Sequence, residues 1–286
     1  NRGPIPVLNG LPVSALPPVN IGVVKNHGYA IELNYRKRFN SNWSMLSKLN
    51  LNYASNRQLY ADEPLLPETY AYRYRETGYR IGQNFGYIVD GYFADQADID
   101  RSPVQKVGGH DSRPGDFKYK DLNGDGVVDA EDIAPIGYSP VPEYTFGGAF
   151  NITYRNFDVS VLIQGITNVT AYYGGSGTFA ANYYVKRHLE SWTEERAAKG
   201  EKISYPRLTT EGSPNEIGNS FFIIDGSYIR LKNVEIGYRL PVFLAKKVGA
   251  KGARVYANGF NLATWDRLPT KDIDPEVTNE TTYPII

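Results

Sequence analysis

The 286-residue sequence contains no cysteine and a single methionine, and it holds no apolar run near the roughly eighteen residues that a membrane-crossing helix requires. Without cysteine there is no disulfide framework, no thiolate nucleophile and no cysteine-based zinc site. The 31 basic and 31 acidic residues cancel, so no overall field draws the chain to nucleic acid. His27, His110 and His188 stand in unrelated contexts, and there is no GxSxG elbow, Walker loop or HExxH. Nothing in the sequence assembles a catalytic constellation. Helical spanning of a membrane is excluded, while spanning by strands stays open.

What is present is aromatic and turn-rich: Tyr 23, Phe 12, Gly 28 and Pro 18 favour strands and turns over helices. From His27 to Phe39 the apolar residues Tyr29, Ile31, Leu33, Tyr35 and Phe39 alternate with Ala30, Glu32, Asn34, Arg36 and Arg38. A period of two makes this a strand. After the short turn Asn40-Ser41-Asn42, Trp43, Met45, Leu49, Leu51 and Tyr53 form the apolar face of a second arm. A further hairpin runs from Phe146 to Tyr154, turns at Arg155-Asn156, where Asn is suited to a positive φ, and returns from Phe157 to Ile163. Phe221 to Leu240, containing SYIRLKNVEIGYRL, and Ala253 to Trp265 read as two later strands, with a short segment over Val242 to Val248 between them. One helix is expected, from about Val185 to Lys199, ending at Gly200. Two readings fit these alternating strands. In a soluble, calcium-stabilised β-sandwich that binds or hydrolyses polysaccharide, the apolar faces are buried. In an outer-membrane barrel they meet lipid, and the polar faces line a lumen. Strands of about twelve residues joined alternately by tight turns and very long connections favour the barrel.

The stretch PGDFKYKDLNGDGVVDAEDIAP, Pro114 to Pro135, has a metal-ligand spacing. Asp121, Asn123, Asp125, Asp129 and Asp132 occupy positions 1, 3, 5, 9 and 12 of an EF-hand type loop, Gly126 is the sixth residue and Val127 supplies a carbonyl at position 7. Calcium (Ca2+) is the expected occupant, as a structural brace of the loop. The plainer alternative is an Asx-rich and Gly-rich turn without an ion. Position 12 is Asp where Glu is usual, and Pro135 argues against a flanking helix.

Tyr70, Tyr72, Arg73, Tyr74, Tyr172, Tyr173, Tyr183, Tyr184 and Trp192 fall in the long connections. Flat aromatic faces can stack on sugar rings, and Arg73 with Arg75 can hydrogen-bond a polar substrate. Packing of the loops, or a partner interface rich in Tyr, Trp and Arg, is the weightier expectation.

Three segments together resemble the SusC/RagA class of TonB-dependent outer-membrane transporters: PGDFKYKDLNGDGVVD, SYIRLKNVEIGYRLP, and RVYANGFNLATW followed by DPE at Asp274 to Glu276. PPVNIGVVKNHGYAIELNY, Pro17 to Tyr35, extends the similarity over nearly the whole chain. The resemblance implies an all-β, antiparallel transmembrane barrel of about 22 strands with short periplasmic turns and long extracellular loops. Residues 1–286 would form its C-terminal portion without plug or last strand, with the calcium-type loop, 112–136, inside it. It further implies import of a glycan oligosaccharide or peptide, a SusD-like surface lipoprotein closing over the mouth, energy from TonB–ExbB–ExbD, and no chemistry on the substrate.

Overall fold

The computed structural model describes residues 2–4, 18–173, 186–247, 249–269 and 274–276. Six strands form one sheet: β1 (Val23–Arg38), β2 (Trp43–Tyr60), β3 (Tyr144–Tyr154), β4 (Phe157–Thr167), β5 (Tyr228–Arg239) and β6 (Arg254–Asp266). Each pairs antiparallel with its neighbour in chain order, which makes an up-and-down meander. β1 and β6 each have one partner among the described strands, so the sheet is an open segment.

Short turns gather at one end. In Asn40–Asn42 the Asn40 side chain accepts the amide of Asn42 at 2.9 Å, an Asx turn. The β3–β4 turn differs from expectation: Arg155, not Asn156, takes the positive φ, at 54°. Arg155 donates its amide to the Asn42 carbonyl at 2.6 Å, so the neighbouring turn holds it there. At the same end β5 passes to β6 through α3 (Val242–Lys247). The opposite end carries the excursions 61–143 and 168–227, which hold α1 (Gln96–Asp100) and α2 (Glu194–Ala198). Of the helix expected from Val185 to Lys199, the described part is a 3-10 turn, Lys186–Glu190, and then α2, separated where Ser191 bridges to Tyr205. Thr193 caps α2 by accepting the Arg196 amide, and Gly200 ends it at φ 64°.

Register sorts the side chains. Tyr29, Tyr53 and Tyr144 stand abreast on one face, followed inward by Ile31, Leu51 and Phe146, then by Leu33 and Leu49. Val159, Val161, Ile236, Val255 and Trp265 continue that face across β4 to β6. Ile31 and Leu33 are 56% and 57% exposed. Phe150, Ile152, Val159 and Val161 are half-buried by neighbours on the same face. None of these residues enters a hydrophobic core, and among the described residues no second layer covers the apolar face, which removes the sandwich reading.

Aromatic girdles bound the face. Tyr53 packs against Tyr29 at 5.3 Å and Tyr144 at 4.6 Å at the long-loop end, and Trp43 against Tyr154 at 5.6 Å at the other. The ten residue-to-residue steps from Trp43 to Tyr53 span about 34 Å along the strand, or about 26 Å after a tilt of about 40°, the height of a lipid-facing apolar band. The other face is polar: Glu32, Asn34, Lys48, Asn50, Asn52, Ser160 and Gln164.

The buried core lies outside the sheet. Tyr87, Val107, Phe117, Tyr119 and Val128 from the first excursion pack with Tyr205 and Phe222 from the second. Leu33 and Asn34 sit at mid-height and point to opposite faces. Leu33→Arg therefore costs about 2–4 kcal/mol and Asn34→Arg less than about 1 kcal/mol, measured as denaturant unfolding of the full barrel in lipid vesicles.

Candidate functional site

The polar face changes character along β4 to β6. At the short-turn end Arg254 pairs with both Asp158 and Glu235, the latter at 2.6 Å. At the long-loop end Arg230, 3% exposed, reaches Asp274 at 2.5 Å and Glu276 at 3.0 Å. Glu276 also accepts from Lys232 at 2.7 Å and Gln164 at 2.6 Å. The DPE segment thus lies against the polar wall. Burial works against the Asp274 carboxylate, but the Arg230 pair and the Glu276 amide outweigh it and hold its pKa below 3.8.

Above the wall, a buried polar network joins the two excursions. Asp116, fully buried, accepts from Arg207 at 2.6 Å, the Asn215 side-chain amide at 2.8 Å and the Arg113 amide at 2.8 Å. Asn215 in turn accepts the Phe117 amide at 2.7 Å. The Tyr119 hydroxyl donates to the Pro214 carbonyl at 2.8 Å, and burial pushes its pKa far up. Gly115, at φ 84°, has Trp192 against it so closely that a Cβ would stand 2.3 Å from the indole. Trp192 is therefore a packing residue.

In the calcium-type loop every aspartate side chain addresses the backbone. Asp121 accepts the amides of Gly124 at 2.6 Å and Gly126 at 2.8 Å, and Asp125 that of Val127 at 2.8 Å. Asp129 accepts from Glu131 at 2.9 Å and caps the turn Ala130–Asp132. Asp132 is fully buried and takes three amides, those of Leu122 at 2.7 Å, Asn123 at 3.3 Å and Asp129 at 2.9 Å. It is the organiser of the loop. The Asn123 side chain receives Asp125 at 3.0 Å and donates to the Thr69 carbonyl at 3.0 Å. Val127 and Val128 pair in parallel with Val104 and Gln105. Among the described residues no three His, Cys, Asp or Glu side chains converge into a ready metal cage.

The Tyr/Arg turn is cinched on Glu63, whose carboxylate accepts the amides of Arg75, Glu76 and Thr77. Burial opposes ionisation of Glu63, yet these bonds win and lower its pKa. Arg73 binds the Leu66 carbonyl, and Arg75 lies over the rings of Tyr70 and Phe85. Tyr72 and Tyr74 are exposed. Tyr172 is exposed on the second excursion, whereas Tyr173 is fully buried beside Leu268 and Ile224. Tyr183 and Tyr184 lie outside the described residues. Among the described members of this set, Tyr173 is interior, whereas Tyr72, Tyr74 and Tyr172 are exposed. The histidines stay apart: His27 meets Tyr53, and buried His188 stands edge-on to Tyr205. Sequence reading passed over Asp116, Asn215, Arg230 and Glu276. Asp116 is signalled by the PGD triplet and Glu276 by DPE, whose partners lie far along the chain.

An apolar outer face, a polar inner face and loops at one end define the class: an antiparallel segment of an outer-membrane β-barrel. No protein-family model matches the chain. It is 30% identical over 284 residues to TonB-dependent receptor P26 of Formosa agariphila, covering 91% of this chain and 26% of that protein. It is 23% identical over 273 residues to TonB-dependent receptor SusC of Bacteroides thetaiotaomicron, covering 90% of this chain and 24% of that protein. Solved structures of the RagAB peptide transporter superpose with a TM-score of 0.62 at 19% identity, over 93% of this chain and 28% of that one. The chain spans about a quarter of the length of the curated relatives it matches. Over that portion it is similar to TonB-dependent receptors including SusC, and its fold is that of a segment of the RagAB outer-membrane barrel.

Two outcomes follow from this geometry. Asp116→Ala leaves the Arg207 guanidinium and the Asn215 amide buried without their acceptor, at a cost of about 3–5 kcal/mol. It is read as protease cleavage of the excursions while the barrel stays folded. Because the folded pKa of Asp274 is lowered, its pair contributes stability above pH 3.8 and loses it as the pH falls through the lowered value. A fluorophore near residue 275 reports release of the DPE segment on that acid limb, and Arg230→Ala abolishes the transition.

Proposed function

We propose that the whole protein imports a nutrient across the outer membrane, with this segment forming part of the passage wall. The observation carrying this reading is the sorting of side chains by register: one continuous apolar face with aromatic margins, backed by a polar face. Its relatives are receptors and transporters, not enzymes, and RagAB is a peptide transporter. The cargo class is a glycan oligosaccharide or a peptide. The energy source is TonB–ExbB–ExbD, and a SusD-like lipoprotein covers the mouth, where the two packed excursions offer a preformed platform. Deleting the gene, or separately the gene for TonB, abolishes growth on the cargo as sole nutrient source while growth on glucose continues. Uptake that persists without TonB would refute energised import.

The reading includes calcium as a brace for the loop, held by Asp121, Asn123, Asp125, Asp129 and Asp132 with the Val127 carbonyl. Support comes from charge. Asp121, Asp125, Asp129, Glu131 and Asp132 crowd one loop and have their hydrogen bonds with backbone amides and Asn123, with no ion pair to a described basic side chain. An ion would draw the exposed carboxylates of Asp121 and Asp125 inward, with Asp132 remaining on its amides. Millimolar calcium should slow protease cleavage between residues 120 and 130 about tenfold, with Asp121→Ala plus Asp125→Ala removing the effect. Identical cleavage in calcium and in chelator would dismiss the ion.

A further inference from the structure

The lipid-facing side carries a basic cluster just beyond its outer girdle. Lys25 pairs in register with Arg57, and His27 with Ser55, directly outward of the Tyr29–Tyr53 pair. Alternation puts Lys25, His27, Ser55 and Arg57 on the same face as those tyrosines. One and two steps beyond Tyr53, at about 7 Å each along the strand, tilt brings them about 5–10 Å outside the girdle. That is the depth of lipid headgroups.

Lys25, His27 and Arg57 are exposed, and Lys25 makes no ion pair with a described residue. Arg57 is held in place by its Nε, which donates to the Gly78 carbonyl at 2.7 Å. Arg80 comes in from the first excursion, lies over the Tyr138 ring and pairs with Glu143 at 2.8 Å. Between these groups is a hollow of about 540 Å3 lined by His27, Arg57, Tyr79, Arg80 and Tyr138. Glu143 is the acidic group at its margin, and Arg80 and Asn168 both already engage it.

We propose that this cluster binds the phosphate of a phosphorylated glycolipid in the outer leaflet, its acyl chains running down the apolar face past Tyr29 and Ile31. Charge complementarity and continuity with the lipid-facing surface select this occupant over a soluble anion. Arg57 and Lys25 supply charge-assisted donors to the phosphate oxygens, and the rings of Tyr79 and Tyr138 flank the sugar.

The test uses the full-length receptor in detergent with purified bisphosphorylated lipid A as the probe, counted per barrel by native mass spectrometry. Lys25→Ala with Arg57→Ala should weaken binding about 30-fold, from two basic groups at about 1 kcal/mol each and 1.4 kcal/mol per tenfold. Lys25→Arg alone, which keeps the charge, should retain binding, and Lys48→Ala, on the lumenal face, should leave it unchanged. Heat-modifiable gel mobility confirms that each variant is folded. Equal lipid retention by the double variant overturns the proposal. So does competition by inorganic phosphate at concentrations equal to the lipid's, because it would mark a soluble-anion site.

Discussion

In hydrocarbon no water is at hand to satisfy a backbone amide or carbonyl, so every such group at membrane depth must find its partner in a neighbouring strand. The six-strand meander obeys this rule from Val23 to Asp266, with the ladder passing through bulges at Val23/Val24, Leu162/Ile163 and Leu231/Asn233 without losing its order. The same rule makes the two outer strands incomplete alone: β1 and β6 present unpaired edges, which further strands must close. It also explains why the main buried cluster holds no residue of the sheet. Its apolar side is solvated by lipid, so burial in the protein sense has to occur elsewhere.

It occurs in the excursions. There the chain is in water, the driving force is apolar burial, and Phe117, Val107 and Val128 disappear entirely from solvent. The two excursions are separated in sequence by two barrel strands, yet they share one core and one polar network. Asp116 and Asn215 join them across 99 residues, and Tyr119 reaches Pro214 across 95. Such buried polar groups gain little net stability, but an unpaired one is costly, so they narrow the ways the loops can dock. A loop platform set by these bonds on a rigid barrel is a suitable place for recognition.

The sequence made the barrel legible because lipid and lumen impose a period of two, and Tyr29, Ile31 and Leu33 declare it openly. It made the turns partly legible. Asn-Ser-Asn behaves as its side chains dictate, but Arg155 holds a positive φ that intrinsic preference assigns to Asn156, because the Asn42 carbonyl fixes its amide. The helix before Gly200 was misjudged for a related reason: Ser191 is claimed by Tyr205, a contact that no local pattern announces. The loop from Asp121 to Asp132 displays a ligand spacing on paper. In three dimensions Asp132 spends its oxygens on three amides, because a buried carboxylate at a loop's end serves the chain's own donors first. Tyr173 and Trp192 stand in the same kind of aromatic-rich connection as Tyr72 and Tyr74, and only tertiary packing separates the interior rings from the exposed ones.

The distribution of charge on the lumenal side carries the reasoning one step further. Arg254 and Arg230 stand near opposite ends of the wall formed by β4 to β6, and each shares two carboxylates with a second basic side chain, Arg239 at one end and Lys232 at the other. Side chains between them, such as Ser160 and Asn233, carry no charge. A fixed unpaired charge there would hold an oppositely charged solute and repel its counterpart. Paired ions with uncharged side chains between them leave this part of the wall polar without a fixed field, in contrast to the excursions, where buried bonds such as those of Asp116 are set by a core.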